Sequence, residues 1–156
     1  MLKDSSDDDY VMLRKQMLAD LAQSVNELFG REGGTIFFLL GEKSGRRSAQ
    51  KRLKESLGSN EEALHRLEYL KHEQHWGDIE FSGLDLERKT GKISLKNCFD
   101  VSFKSSVGEC YFMKGFLTGF LSEIFQENIT TSNSYDKPCN GACTQLFWAP
   151  DVKREA

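Results

Sequence analysis

The stretch "CYFMKGFLTGFLSEIF", residues 110–125, decides the fold of this chain, because it is apolar over about four turns of helix. Its two glycines, Gly115 and Gly119, lie four residues apart and therefore share one face of the predicted helix. A glycine inside a helix costs ~1 kcal/mol relative to alanine. Two glycines on one face therefore predict a close approach by another helix or by a ligand.

The same spacing of small residues recurs earlier in the chain. A helix is predicted over residues 35–57, and on it Gly41, Gly45 and Ala49 follow one another at four-residue steps. A helix over about 9–29 is indicated by the stripe of Leu18, Leu21, Val25 and Leu28. "GREGG", residues 30–34, is expected to be the loop between these two helices.

The remaining segments predict a third helix and a small sheet. "GSNEEALHRLEYLKHEQHWG", residues 58–77, has helical periodicity with Leu64 and Leu67 facing inward, and "DIEFSGLDLERKTGKISLKNCF", residues 78–99, alternates as a β-hairpin does. Two short strands are expected near 128–134 and 144–148. The fold class is therefore α+β: N-terminal helices pack on a mostly antiparallel sheet of about four strands, and the Gly-x3-Gly helix precedes the closing hairpin.

Composition and charge bound the function. The 156 residues suit one domain, expected over 9–150, between an acidic tail (1–8) and a C-terminal tail (151–156). A net charge of −3 does not favour direct binding to nucleic acid. The acidic start lacks the pattern of a secretion signal, and no apolar run approaches the ~20 residues of a membrane span. We therefore expect a cytoplasmic protein.

The four cysteines are concentrated in the second half of the chain. In a reducing compartment, thiols in such groups are more often metal ligands or catalytic groups than disulfides. Cys110 at a helix start, with Cys139, Cys143 and the nearby Asp136, forms a set suited to Zn²⁺, which prefers thiolates and can complete its tetrahedron with a carboxylate. Cys98 competes for the fourth place. Spacing alone leaves a zinc site, structural thiols and a redox pair as alternatives.

A group of phenylalanines suggests an apolar pocket. Taken one at a time, these side chains are more simply explained as ordinary core. The glycine-faced helices make a cavity between helices and sheet more plausible, because missing side chains leave room. The six side chains are those of Phe37, Phe38, Phe81, Phe112, Phe116 and Phe120. The histidines of the third helix are more simply explained as part of a solvated face with Arg66, Lys71 and Glu73. No nicotinamide or flavin fingerprint is present.

Several stretches together resemble the 4-vinyl reductase domain family. The resemblance is carried by "FFLLGEKSGRRSA", by the hairpin ending in Asn97, Cys98 and Phe99, by "CYFMKGFLTGFLSEIF" and by "DKPCNGACTQLF". That family shares its fold with small subunits of the transport-particle tethering complex. It also provides the sensing domain of aromatic-responsive bacterial transcription activators. The similarity covers most of the chain from about Leu18 and is most specific in its final third.

The resemblance implies a particular metal site. In metal-binding members a helix cysteine, an acid and two closing cysteines hold one structural zinc, and the matching positions here are Cys110, Asp136, Cys139 and Cys143. Cys98 falls where the family has a small residue. The acid is Asp where the family has Glu, and the loop between the closing cysteines is shorter than usual.

The resemblance also implies a function. The first hypothesis is a zinc-containing domain that binds or senses a hydrocarbon, aromatic or lipid-like molecule, is not an enzyme, and forms a homodimer through its N-terminal helices. It would act through a separate regulatory protein, because no DNA-binding element is recognisable. The alternatives are a scaffold or adaptor subunit, like the tethering-complex relatives, and a vinyl-tetrapyrrole reductase component, which ranks lowest.

Overall fold

The computed structural model describes residues 12–54, 58–99, 110–133 and 142–150, with only the backbone for 54, 132, 133, 142 and 143. The described chain contains four helices and four strands. In chain order they are α1 Lys15–Phe29, α2 Glu32–Lys54, α3 Asn60–Glu73, β1 Asp78–Asp85, β2 Thr90–Lys96, α4 Tyr111–Phe125, β3 Thr130–Asn133 and β4 Ala142–Trp148. The predicted α+β class is confirmed.

The four strands form one antiparallel sheet in the order β1-β2-β4-β3. Ile93 in the central strand β2 lies opposite Phe81 on one side and opposite Gln145 on the other. Because side chains alternate between the faces of a strand, the buried residues Ile93, Leu95, Gln145 and Phe147 define the inner face of the sheet. The predicted antiparallel sheet of about four strands is confirmed, and the pairing of β2 with β4 joins the early hairpin to the closing one.

The core lies between this inner face and the helices. Helix α4 is buried along most of its length, with Phe116, Leu117, Phe120 and Leu121 at its centre. Such a helix is apolar on all sides because it is surrounded by protein. Within the described residues, no helix is long and apolar enough to cross a membrane.

The start of the chain differs from the sequence prediction in two places. Helix α1 begins at Lys15, not near residue 9, and residues 1–11 lie outside the described part of the chain. The predicted loop "GREGG" is shorter, because α2 already begins at Glu32 and includes Gly33 and Gly34. A Cβ at Gly34 would clash with the Tyr111 ring, so this glycine lets the start of α4 pack against α2.

Helix α3 begins with a capping box at Ser59. The Ser59 hydroxyl accepts a hydrogen bond from the Glu62 amide (3.2 Å), and the Glu62 carboxylate accepts one from the Ser59 amide (3.2 Å). These bonds satisfy amides that have no partner within the helix. Residues 134–141, between the two closing strands, and the predicted tails at 1–8 and 151–156 lie outside the described residues, so the domain boundaries at 8 and 150 stay predictions.

Candidate functional site

Helices α2 and α4 meet at the glycines of both helices. A Cβ on Gly41 would overlap the Phe112 carbonyl oxygen, and one on Gly45 would overlap that of Phe116. Conversely, a Cβ on Gly115 or Gly119 would overlap a backbone carbonyl of α2, that of Phe38 or Glu42 respectively. The contacts advance in the same direction along both helices, so α2 and α4 run side by side and parallel at backbone contact.

Next to this crossing lies a group of aromatic rings, which we call the aromatic cluster: Trp76, Phe99, Phe112, Phe116 and Phe120. The Trp76 ring makes edge contacts with the rings of Phe99, Phe112 and Phe116, at centroid distances of 5.4, 5.7 and 5.4 Å. Phe116 stacks on Phe120 at 6.2 Å. These are favourable geometries for aromatic pairs, which prefer edge-to-face or offset arrangements.

The structure divides the six phenylalanines predicted to line a pocket. Phe112, Phe116 and Phe120 belong to the aromatic cluster, whereas Phe81 packs edge-on against Phe147 at 6.5 Å, within the sheet. Phe37 and Phe38 are half-buried on α2. Sequence reasoning did not include Trp76 and Phe99 in the predicted pocket. In the structure a backbone hydrogen bond brings them together, since the Phe99 amide donates to the Trp76 carbonyl (3.1 Å).

Lys71 of α3 reaches the aromatic cluster. Its Nζ lies 3.6 Å from the Trp76 ring centroid and 4.5 Å from that of Phe116, and it donates to Gln74 Oε1 at 2.9 Å. The residue is only 6% exposed, so its assignment to a solvated face was wrong. Its spacing from the buried leucines, four residues after Leu67 and seven after Leu64, is the signal that predicts an inward position.

Burial changes the acid–base properties of this lysine. Desolvation lowers the pKa of Lys71 to about 8, because the apolar surroundings disfavour the ammonium form. Repulsion by the nearby Arg52 guanidinium lowers the pKa further. The group is therefore an ammonium ion near its titration point at neutral pH, placed over two aromatic rings.

Gln145 is the second unusual polar group. Its side chain is 0% exposed on the inner face of β4, and neither its Oε1 nor its Nε2 has a hydrogen-bond partner in the described part of the chain. Nearly all buried polar groups in proteins are hydrogen-bonded. Its position two residues before Phe147 marks it as inward-facing, but the sequence does not show that its amide lacks a partner.

Other buried polar groups in the core do have partners. The Thr118 hydroxyl donates to the Lys114 carbonyl (2.7 Å) and lies 2.5 Å from the Thr131 hydroxyl. The Ser122 hydroxyl donates to the Thr118 carbonyl (2.7 Å) and accepts from the Ile129 amide (2.9 Å). These bonds connect α4 to β3 and to the segment before it, and they make Gln145 an exception.

The predicted zinc ligands are only partly within the described residues. Cys110 is buried directly before α4, as the N-cap residue, and the backbone of Cys143 pairs with Leu95 in the sheet. Asp136 and Cys139 lie outside the described residues. Among the described residues, no three His, Cys, Asp or Glu side chains form a group that could hold a metal. The four-ligand site therefore stays a prediction.

The histidines with recorded partners are on the surface. His72 Nδ1 lies 2.6 Å from Asp78 Oδ1, and His65 Nδ1 lies 3.0 Å from Glu68 Oε2, with both histidines exposed. The hydrogen bond to Asp78 raises the pKa of His72, and the same bond lowers the pKa of Asp78. The solvated reading of His65 and His72 is confirmed.

Comparison with known proteins places the fold. No protein-family model and no curated protein sequence matches this chain. Among solved structures, the phenol-responsive sensory domain of the transcription activator PoxR, with phenol, superposes with a TM-score of 0.77 at 17% identity, over 90% of this chain and 76% of that chain.

Two further structures share the fold. A vinyl-4-reductase family protein from Methanocaldococcus jannaschii matches with a TM-score of 0.57 at 19% identity, over 92% of this chain and 85% of that chain. A trafficking protein particle complex subunit 3 from Naegleria fowleri, covalently bound to palmitic acid, matches with a TM-score of 0.59 at 11% identity, over 90% of this chain and 98% of that chain. The sequence resemblance is thus confirmed at the level of the fold.

Proposed function

We propose that this chain is a small-molecule-binding sensor domain whose apolar ligand lies between α4 and the inner face of the sheet. The observation that carries the proposal is the buried Gln145 amide without a hydrogen-bond partner. Leaving such a group unsatisfied costs about 1–3 kcal/mol, and a bound molecule with one polar group removes that cost. Ligand sites are commonly apolar with a few polar groups that fix orientation.

The fold neighbours support the same function. The structure with the highest TM-score of the three contains a phenol-responsive sensory domain, and another holds a covalently bound palmitic acid. Phenol and palmitic acid are both largely apolar molecules with an oxygen-bearing group at one end. The aromatic cluster of this chain provides apolar surface of the kind that such molecules contact.

The test uses two neutral probes of similar size, phenol and toluene. If Gln145 bonds to the polar group of the ligand, wild-type protein is expected to bind phenol at least tenfold more tightly than toluene, by isothermal titration calorimetry. Gln145→Leu should remove that preference. Gln23→Leu, on the exposed surface of α1, is the matched control. Binding of neither probe, together with no apolar molecule in native mass spectra of the purified protein, would contradict the proposal.

We further propose that Cys110, Asp136, Cys139 and Cys143 hold one structural zinc. Three thiolates and one carboxylate would give a closed tetrahedral site, and a closed site has no open position for hydrolytic chemistry. The buried position of Cys110 at the start of α4 and the place of Cys143 in β4 support a role in which the metal joins this helix to the closing hairpin.

Metal analysis tests this site directly. Purified wild-type protein is expected to contain one zinc per chain, and Cys143→Ser should lose the zinc and melt at a lower temperature. Cys98→Ser is the matched control, because Cys98 is also buried but lies outside the proposed ligand set. Wild-type protein without zinc would rule out the site.

A homodimer through α1 is proposed for the assembly. Leu21 and Leu28 lie seven residues apart on one face of α1 and are 53% and 77% exposed. An exposed apolar stripe of this kind is typical of an interaction surface. Size-exclusion chromatography with light scattering should give a dimer for the wild type and a monomer for Leu21→Glu/Leu28→Glu.

The second candidate is a scaffold or adaptor subunit, favoured by the likeness to the tethering-complex subunit and by the same exposed stripe. Co-purification with a stable protein partner, and no bound small molecule, would favour it. The reductase role ranks lowest. Mixing the protein with a reduced nicotinamide cofactor and a vinyl tetrapyrrole is expected to give no turnover.

A further inference from the structure

The side chain of Lys71 is a buried cation without a recorded carboxylate partner. The contacts that the structure records for its ammonium group are one neutral hydrogen-bond acceptor, Gln74 Oε1, and the faces of two rings, Trp76 and Phe116. An ammonium group has three hydrogens to donate. Aromatic faces compensate part of the lost hydration, but a buried charge is normally paired with an opposite charge.

Glu73, the acid nearest to Lys71 in the sequence, is exposed, and the next two, Glu68 and Asp78, bond elsewhere. Glu68 accepts a hydrogen bond from the Phe81 amide (2.8 Å) and contacts His65. Asp78 is bonded to His72 and accepts a hydrogen bond from the Asn97 side chain (2.7 Å). Glu68 and Asp78 therefore have their own partners in the described part of the chain, and neither compensates the charge of Lys71.

Arg52, the charged side chain that affects the pKa of Lys71, is also positively charged. Arg52 comes from α2, lies close enough to lower the pKa of Lys71, and is half-buried. Arg52 therefore adds to the cost of the buried Lys71 charge and does not compensate it. An anion beside the Lys71 ammonium group would offset that cost, whereas a neutral molecule would not.

We propose that Lys71 binds the carboxylate of an apolar organic acid, whose aromatic or alkyl body packs against the aromatic cluster. This inference rests on the proposed function, because it names the class of molecule that the sensor binds. The anion would supply the charge partner that Lys71 lacks and would accept hydrogen bonds from its ammonium group. Gln74, which accepts a hydrogen bond from the Lys71 ammonium group, is exposed, so a carboxylate that takes its place would approach from that side.

The experiment compares acids with alcohols of the same carbon skeleton: benzoate with benzyl alcohol, and hexanoate with hexanol. Isothermal titration calorimetry at pH 7 is expected to show at least a tenfold preference of the wild type for the acid of each pair. Lys71→Met should abolish the preference, since Met fills a similar volume without charge. Lys92→Met, at an exposed lysine on β2, removes the same charge and should retain the preference.

A second measurement does not depend on a variant. In the benzoate complex, the pKa of Lys71, followed by carbon-13 NMR of its Cε, should rise by at least one unit, because an adjacent anion favours the ammonium form. Equal binding of acid and alcohol, or an acid preference that survives in Lys71→Met, would overturn the inference and leave the sensor function intact. If no acid or alcohol binds, and phenol and toluene also fail, both proposals are wrong.

Discussion

Two regions next to α4 differ in what they bury: one buries backbone against backbone, and the other buries polar side chains. At the α2–α4 crossing, four glycines let backbones touch. At the aromatic cluster and the inner sheet face, Lys71 and Gln145 are buried with fewer polar partners than such groups need. The crossing therefore contributes stability mainly through the fit of the two backbones, whereas the second region carries an energetic cost. Proteins that accept such a cost commonly do so at functional sites.

The crossing should be the more sensitive of the two regions to substitution. Gly45→Ala would stabilise an isolated helix by ~1 kcal/mol, but here the new methyl group overlaps the Phe116 carbonyl, which belongs to backbone and cannot rotate away. We expect a loss of about 3 kcal/mol in the free energy of unfolding, measured by urea denaturation.

Gly30→Ala is the control for the crossing. Gly30 has φ 57° and ψ −131° with open space around it, so the added methyl group meets backbone strain, on the order of 1–3 kcal/mol, and no overlap with another described residue. A Gly45→Ala protein at least as stable as the wild type would show that α2 and α4 do not touch through their backbones.

The two regions also differ in how well sequence reasoning predicts them. Four-residue spacing of glycines is a local pattern, and a helix converts it into one flat face, so a close helix contact at Gly41 and Gly115 could be expected. The apolar periodicity likewise predicted the helices, the hairpin and the closing strands. Helix starts were less predictable: α2 includes Gly33 and Gly34, and Gly34 lies against the ring of Tyr111, which is distant in sequence.

The site was predicted less well, for a physical reason. Lysine is seldom buried, so composition assigned Lys71 to the surface, and its inward position follows only from its spacing to Leu64 and Leu67. The alternation along β4 places Gln145 inside, but whether its amide has a partner depends on groups from other elements. Sequence periodicity predicts which face is buried, but not which polar atoms find partners there.

The cost at Lys71 should appear as a dependence of stability on pH. The pKa of Lys71 is about 8 in the folded protein, against 10.5 for an ordinary lysine, so the unfolded chain binds more protons between these values. Stability should therefore rise with pH across this window, by roughly 3 kcal/mol in total, and the cost is fully present below pH 8.

The measurement compares wild type with Lys71→Met by urea denaturation from pH 7 to 10.5. The variant lacks the titrating group, so it should be the more stable protein at pH 7, with the difference narrowing as the pH rises. Burial is the main cause of the shift and Arg52 the recorded charged contributor. For Lys92→Met, the difference in free energy of unfolding from the wild type should not change with pH. A difference that also stays constant for Lys71→Met would show that burying the Lys71 charge has no such cost.

Substitutions at Gln145 and Ser122 compare a buried polar group that has no hydrogen-bond partner among the described residues with one that has two. Gln145→Leu removes an amide without a partner and is expected to raise the free energy of unfolding by about 1–2 kcal/mol in the absence of ligand. Ser122→Ala leaves the buried Ile129 amide without its acceptor and should lower it by a similar amount. Both are read from chemical denaturation. If both variants are destabilised, Gln145 has a partner in the free protein.

The smallest effect is expected from the ion pairs beside the crossing. Arg46 Nη2 of α2 lies 3.1 Å from Glu42 Oε1, and Arg46 Nη1 lies 3.6 Å from Glu123 Oε2 of α4. The Arg46 side chain is 34% exposed. Solvent screens such pairs, so Arg46→Gln should cost only about 0.5 kcal/mol, a loss that disappears at high salt. A loss as large as that of Gly45→Ala would mean that charge holds the two helices together. A small loss would mean that the fit of the two backbones, and not these ion pairs, holds α4 against α2.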